Sequence, residues 1–284
     1  MKLLVTGAVG RLGRDLVTLA SKRYVVRAFD LPQVSFQPIE DVTNTEVFRG
    51  DITNLKDVRE ALRSVDGVIH LAAVLPPKSE QDRLQTMKVN LGGTRNLVEV
   101  LKENQVPLIF ASSVSVYGVT AHEQPPIRED HVLHAYNAYS ESKIEAEKLV
   151  KASGIPYIIL RISAISVAEL VELPDAIPFR ADQRVEYVFV EDAAQALLSA
   201  FEMREALGGI YNIAGGASWQ MTGEKYIKFF YDALGVEVEP NFSKEYTSLD
   251  WYDTSRSRFL NYQKTSLNDF LNRLRTVGEE LGLR

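Results

Sequence analysis

Apolar and polar positions along this chain keep two alternating periods. Short continuous apolar runs recur, and after most of them apolar residues return at helical spacing. The first run covers residues 2–6 and leads through Gly7-Ala8-Val9-Gly10-Arg11-Leu12-Gly13 into a helical pattern over 14–21. A second run, 24–30, ends on Asp30 and is stopped by Leu31-Pro32. Further strands are expected over 47–52 and over 67–73, the latter ending in small residues, with a helix between them over 54–64. The pattern then gives a long helix over 80–103, a fifth strand over 107–112 and a proline- and acid-bearing loop over 120–134. A helix over 137–152 is stopped by Gly154 and Pro156, and a sixth strand covers 157–161. From there to Asp192 the periodicity is irregular, with Pro174 and Pro178. Helices over 191–204, 222–234 and 266–281 and a strand over 209–213 complete the chain.

Strand and helix alternating at this spacing imply right-handed crossovers and a parallel sheet covered on both faces, a doubly wound α/β (Rossmann) fold. Residues 1–161 form the expected nucleotide-binding domain, to which a strand and a helix return from about 185–213. Residues 162–284 form a small, interleaved α/β substrate-binding part, because no linker, repeat or low-complexity tract separates the two.

Composition narrows the function. With 45% hydrophobic and 25% charged residues, the chain has the balance of a globular protein. A net charge of −6 argues against a groove for nucleic acid. The absence of cysteine removes disulfides, thiolate catalysis and cysteine-ligated metals. The four histidines, His70, His122, His131 and His134, have no ligand spacing, so no metal is expected. No apolar run is long enough to cross a bilayer and no leader precedes the first strand, so no membrane association and a cytoplasmic location are expected.

The glycine turn suits a dinucleotide. Gly7 can take a positive φ, Gly10 lets a diphosphate approach the backbone, and Gly13 lets helix and strand pack closely, while N–H groups at the helix start face the phosphates. A tight turn with no ligand would use the same residues. Asp30, at the end of the second strand, can accept hydrogen bonds from both hydroxyls of an adenine ribose and would repel a 2′-phosphate, which favours NAD over NADP. Tyr139 and Lys143 lie four apart on a predicted helix and so share one face. A neighbouring ammonium, with the positive ring of an oxidised nicotinamide, would bring a phenol toward the range of a general base. Ser113, from the end of the fifth strand, would orient a substrate hydroxyl beside it.

Together these pieces resemble the extended short-chain dehydrogenase/reductases of the NAD-dependent epimerase/dehydratase group. The matching segments are 6–13 (TGAVGRLG), 50–52 (GDI), 70–73 (HLAA), 89–94 (VNLGGT), 112–118 (SSVSVYG) and 139–143 (YSESK). The resemblance implies catalysis by Ser113, Tyr139 and Lys143, and NAD held by Gly7, Gly10, Arg11, Leu12, Gly13 and Asp30. It also implies that Asp51 and Ile52 hold the adenine, that the backbone of Leu71, Ala72 and Ala73 lies by the cofactor, that Asn90 supports the site, and that Lys143 meets the nicotinamide ribose. By the same analogy, a homodimer would pair through the helices over 80–103 and 137–152.

The departures bear on the substrate. Nucleotide-sugar epimerases usually follow the arginine of the sixth strand with asparagine and proline, where this chain has Arg161-Ile162-Ser163-Ala164. An arginine that typically meets the diphosphate is replaced by Val185, with Arg184 one residue away and so facing the other side of a strand. The segment from Trp251 to Tyr262 looks like the tail shared by sugar epimerases and uronate dehydrogenases, although Val114 and Ser115 stand where the latter have asparagine and histidine. Candidate substrate contacts are Val74, Ser115, Ser163 and Arg180, and either Arg180 or Arg184 could bind a carboxylate through a bidentate contact. The leading expectation is an NAD-dependent oxidoreductase acting on a secondary alcohol of a compact sugar or sugar acid. The alternatives are a nucleotide-sugar epimerase that retains NAD and a non-catalytic NAD-sensing protein.

Overall fold

The computed structural model describes residues 1–169 and 176–283, so Pro174 of the irregular stretch lies outside the described residues. The first half runs β1 (Lys2–Thr6), α1 (Arg11–Ala20), β2 (Val25–Asp30), α2 (Gln37–Glu40), β3 (Thr45–Arg49), α3 (Leu55–Ala61) and β4 (Gly67–His70). Then come α4 (Lys78–Gln81), α5 (Arg83–Met87), a π-turn (Lys88–Gly92), α6 (Gly93–Asn104), β5 (Leu108–Ser113), α7 (Ala138–Lys151) and β6 (Tyr157–Ile162). The remainder comprises β7 (Ala164–Ser166), β8 (Arg184–Val185), β9 (Tyr187–Phe189), α8 (Val190–Glu202), β10 (Ile210–Ile213), β11 (Met221–Thr222), α9 (Gly223–Leu234) and α10 (Leu267–Glu280).

Among the described residues, seven parallel strands form the main sheet in the order β10-β6-β5-β4-β1-β2-β3. The order reverses between β1 and β4, and ligands of open α/β sheets bind at such a reversal, beyond the carboxyl ends of the strands. Alternation along each strand feeds two cores. Leu3 and Val5 of β1 face α1 and α8, whereas Leu4 joins Val58, Leu97 and Ala146 under α3, α6 and α7. A third core around Phe179, Trp219 and Phe270 holds α9 and α10 against the short pairs β8–β11 and β7–β9. No helix among the described residues is long and apolar enough to cross a membrane.

Three expectations need correction, the first being the fourth strand, which ends at His70 rather than at residue 73. The single helix over 80–103 is broken. Asp82 leaves helical geometry at φ −144° and caps α5 by accepting from the Gln85 N–H, since a short carboxylate competes with helix continuation. A π-turn over 88–92 then widens the helix and turns Asn90 inward, where it is buried. The third strand lies over Thr45–Arg49, earlier than 47–52; it ends before Gly50, which lies against the Phe29 ring where a Cβ would stand 2.7 Å from a ring carbon.

Candidate active site

The turn between β1 and α1 admits no side chain at two of its glycines. Gly7 has φ +70°, and a Cβ on Gly13 would stand 2.2 Å from the Gly7 carbonyl oxygen. Gly10 caps α1 without a side-chain hydrogen bond, and no acid occupies the helix's first turn, which holds Arg11 and Arg14. The N–H groups of Arg11, Leu12 and Gly13, which precede the helix's first bond from Arg14 N–H to the Gly10 carbonyl, are therefore left to an anion. Asp30 reaches back from β2: its Oδ2 accepts the Val9 N–H at 3.0 Å and its Oδ1 the Leu31 N–H at 2.8 Å. Beyond β3, Asp51 Oδ1 accepts from Thr53 N and Oγ1, and Ile52 packs on Gly93, where a Cβ would lie 2.8 Å from it. These residues line one side of the sheet reversal, and the open glycine turn fits a dinucleotide diphosphate.

The other side is the segment over 71–74, whose backbone is tied down from both ends. Thr6 Oγ1 accepts the Ala72 N–H at 3.2 Å, and Asn90 pairs with the main chain of Val74, accepting from N at 2.7 Å and donating to O at 3.1 Å. Leu71 N bonds the Thr6 carbonyl. Asn90 also donates to Ser142 Oγ, and that hydroxyl donates to the Tyr139 carbonyl. Behind the segment, the buried His70 ring bonds Thr6 through Nδ1 (2.7 Å) and Thr94 through Nε2 (3.0 Å). Thr94 spends its own proton on the Asn90 carbonyl, so it accepts from Nε2–H and Thr6 donates to Nδ1. Burial with the Lys143 charge nearby pushes His70 down to about 3, which keeps it neutral.

The helix α7 starts cleanly because Asn137 and Ser140 form a reciprocal capping box. Three of its residues, each one turn after the last, meet the last three residues of β5. The Ser113 hydroxyl acts on the Tyr139 phenol and favours its ionised form, the Lys143 Nζ donates to the Ala111 carbonyl at 2.8 Å, and the Ser112 hydroxyl donates to Glu147 at 2.6 Å. Tyr139, Lys143 and Ser113 are thus brought together as the spacing suggested. Lys143 stands 5.8 Å from the centre of the Tyr139 ring, and burial pushes the phenol up to about 12, with only the Ser113 bond working against it. Burial also pulls Lys143 down to about 8, opposed by the Glu147 charge.

On the substrate side, Ser115 and Ser163 follow the paired residues Ser113 and Ile162 on adjacent strands. Both hydroxyls are buried and have no hydrogen-bond partner among the described residues. Val74 is half-buried at the tied segment. Arg180 pairs at the surface with Asp182 through two bonds of 2.8 and 2.9 Å, and its guanidinium lies over the Tyr246 ring. Arg184 is likewise clamped by the buried Asp250, and Val185 is fully buried. Glu147 and His70 are parts of the site that the motif reading left without a role. For Glu147 the signal was present in the one-turn spacing from Lys143; for His70 the partners come from β1 and α6 and leave no trace in sequence.

A family model described as "NAD dependent epimerase/dehydratase family" matches residues 3–169. Among curated proteins, the chain is 32% identical over 170 residues to a UDP-glucose 4-epimerase of Lactobacillus helveticus, covering 57% of this chain and 51% of that one. It is 31% identical over 184 residues to a D-erythronate dehydrogenase of Cupriavidus necator, covering 59% and 56%. The chain therefore spans about half the length of the curated relatives it matches. Among solved structures, a UDP-glucuronic acid 4-epimerase from Bacillus cereus in complex with NAD superposes with TM-score 0.82 at 25% identity over 99% of both chains. A UDP-glucose 4-epimerase from Thermotoga maritima gives 0.84 at 21% identity, also over 99% of both, which shows the shared fold.

Proposed function

This chain belongs to the NAD dependent epimerase/dehydratase family and is an enzyme that uses NAD, and on that premise we propose that it oxidises a secondary alcohol of a compact sugar or sugar acid. The observation that carries the reading is the fate of the cations beside the site. Arg180 is paired with the surface carboxylate of Asp182, Arg184 with the buried Asp250, and Val185 is buried, whereas two hydroxyls without a partner among the described residues, Ser115 and Ser163, follow the strand ends next to Ser113. A small polyol chain uses such hydroxyls; a nucleoside diphosphate needs free cations.

In this reading Gly7, Gly10, Arg11, Leu12 and Gly13 hold the cofactor diphosphate, Asp30 the adenine ribose, and Asp51 and Ile52 the adenine. The backbone of Leu71, Ala72 and Ala73, kept in place through Asn90, lines the nicotinamide side with Tyr139 and Lys143. Bound NAD supplies an acceptor for the hydride. Ser113 bonds the substrate hydroxyl and orients it toward Tyr139, whose phenolate takes the proton as the carbinol becomes a carbonyl. Lys143 contributes positive charge to this enclosed space and a contact to the nicotinamide ribose.

Epimerisation of a nucleotide sugar on retained NAD is the second reading, supported by the likeness over the whole chain to UDP-glucuronic acid 4-epimerase. Incubation with NAD and a panel of D-erythronate, free uronates, simple sugars and UDP-sugars separates the two. NADH formed in proportion to a free sugar acid or sugar supports the first reading; tightly bound cofactor, no NADH release and a new epimer from a UDP-sugar overturn it.

A further inference from the structure

The three contacts between α7 and β5 continue past the catalytic pair. Glu147, fully buried, takes the Ser112 hydroxyl at 2.6 Å and receives Nε (3.0 Å) and Nη2 (2.7 Å) of Arg161 from β6. The remaining arm of Arg161 donates to the Tyr117 hydroxyl and the Glu129 carbonyl. Tyr117 in turn donates to Asn212 of β10, which bonds the main chain of Ile127 and Asp253. A buried ion pair of this kind returns little net stability compared with apolar side chains of the same volume, which leaves its placement to be explained.

We propose that Glu147 and Arg161 are positioning residues of the site: the Glu147 carboxylate fixes α7 in register with the end of β5 and supplies the anion that faces the Lys143 ammonium, and Arg161 holds that carboxylate in place. Removing Ser112 or Arg161 from the carboxylate frees it to turn away from β5. A shift of α7 along the strand would carry Tyr139 off Ser113 and Lys143 off Ala111 together, because all three contacts share one helix face. The groups around Lys143 support the electrostatic half. From α7 it meets Tyr139, with the Glu147 charge one turn further on, from β5 the Ala111 carbonyl and the Phe110 ring, and from β4 the neutral His70. Glu147 is the anion among them, and its charge is the influence that opposes burial in holding the Lys143 proton.

This inference rests on the proposed roles of Tyr139 and Lys143, yet its test needs no substrate. NMR of the full chain carrying isotope-labelled lysine, with the Lys143 signal assigned by Lys143→Arg, follows the titration of that amine. The wild-type midpoint is expected at about 8. In Glu147→Gln it falls by about one pH unit or more. The double variant Glu147→Gln/Arg161→Met, which leaves no unpaired buried guanidinium, is expected to show the same fall. With any substrate that yields NADH, kcat drops on the order of a hundredfold while KM for NAD changes little. A Lys143 midpoint within about 0.2 units of wild type in either folded variant overturns the proposal. Tyr139→Phe with undiminished turnover would instead overturn the catalytic reading on which it rests.

Discussion

The side-chain nitrogen of Lys143 donates to the main-chain carbonyl of Ala111 at 2.8 Å. This bond anchors the amine to β5 and leaves the Ser113 hydroxyl as the group that stabilises the phenolate of Tyr139 directly. Ser113 consequently acts on the base as well as on the substrate. In Ser113→Ala the phenol loses that bond, so the pH at which oxidation sets in moves upward and kcat falls by about one to three orders of magnitude. Steady-state rates of both proteins across the alkaline range check this, and an unmoved profile would remove the phenol–hydroxyl coupling.

His70 makes stability pH-dependent. Its folded value lies at about 3, below the ordinary 6.5, so the folded ring stays neutral while the unfolded one takes up a proton. The contribution is fully present above the unfolded value and is lost as pH falls through 6.5 toward 3. Between about pH 7 and about pH 5 this amounts to roughly 2 kcal/mol. Urea unfolding of wild type and His70→Asn at the two pH values measures it; the variant is expected to be less stable at neutral pH and flatter in its pH dependence. Equal slopes would mean that His70 is protonated in the fold.

Asp30 ties the glycine turn to the end of β2 through the Val9 N–H. Asp30→Ala removes a charge-assisted bond and the repulsion of a 2′-phosphate together. NAD binding is expected to weaken by about tenfold or more, while NADP binding strengthens. Calorimetric titration with each nucleotide checks both, and a wild-type preference for NADP would contradict the role given to this acid.

Gly13→Ala tests the turn itself. Its Cβ would press on main-chain oxygens of Gly7 and Ala8, at 2.2 and 2.7 Å, and backbone cannot swing aside as a flexible side chain can. The substitution should cost about 2 kcal/mol or more of stability and abolish measurable NAD binding. Thermal unfolding with and without NAD reads both effects, and a stabilising shift by NAD equal to that of wild type would show that the turn has room.

The sheet was legible because each parallel strand is a short apolar run with its own turn signal, and because the glycines, Asp30, Ser113, Tyr139 and Lys143 occur in order. Helical periodicity survives a local break, so the apolar spacing over 80–103 concealed both the cap at Asp82 and the π-turn that buries Asn90. The state of Tyr139 was illegible for another reason: burial and the direction of the Lys143 side chain are tertiary facts. Arg180 read as a free cation because its partner Asp182, two residues on, becomes a clamp only once the loop is folded.

The most direct test of net alcohol oxidation follows the hydrogen on the carbinol carbon. Each member of the substrate panel is supplied deuterated at that carbon with NAD, and nicotinamide and sugar products are analysed by mass spectrometry. Deuterated NADH released in equal amount to a carbonyl product, and none with Tyr139→Phe, is the predicted result. Deuterium returned to an inverted carbinol carbon of a UDP-sugar, with no NADH released, would contradict it.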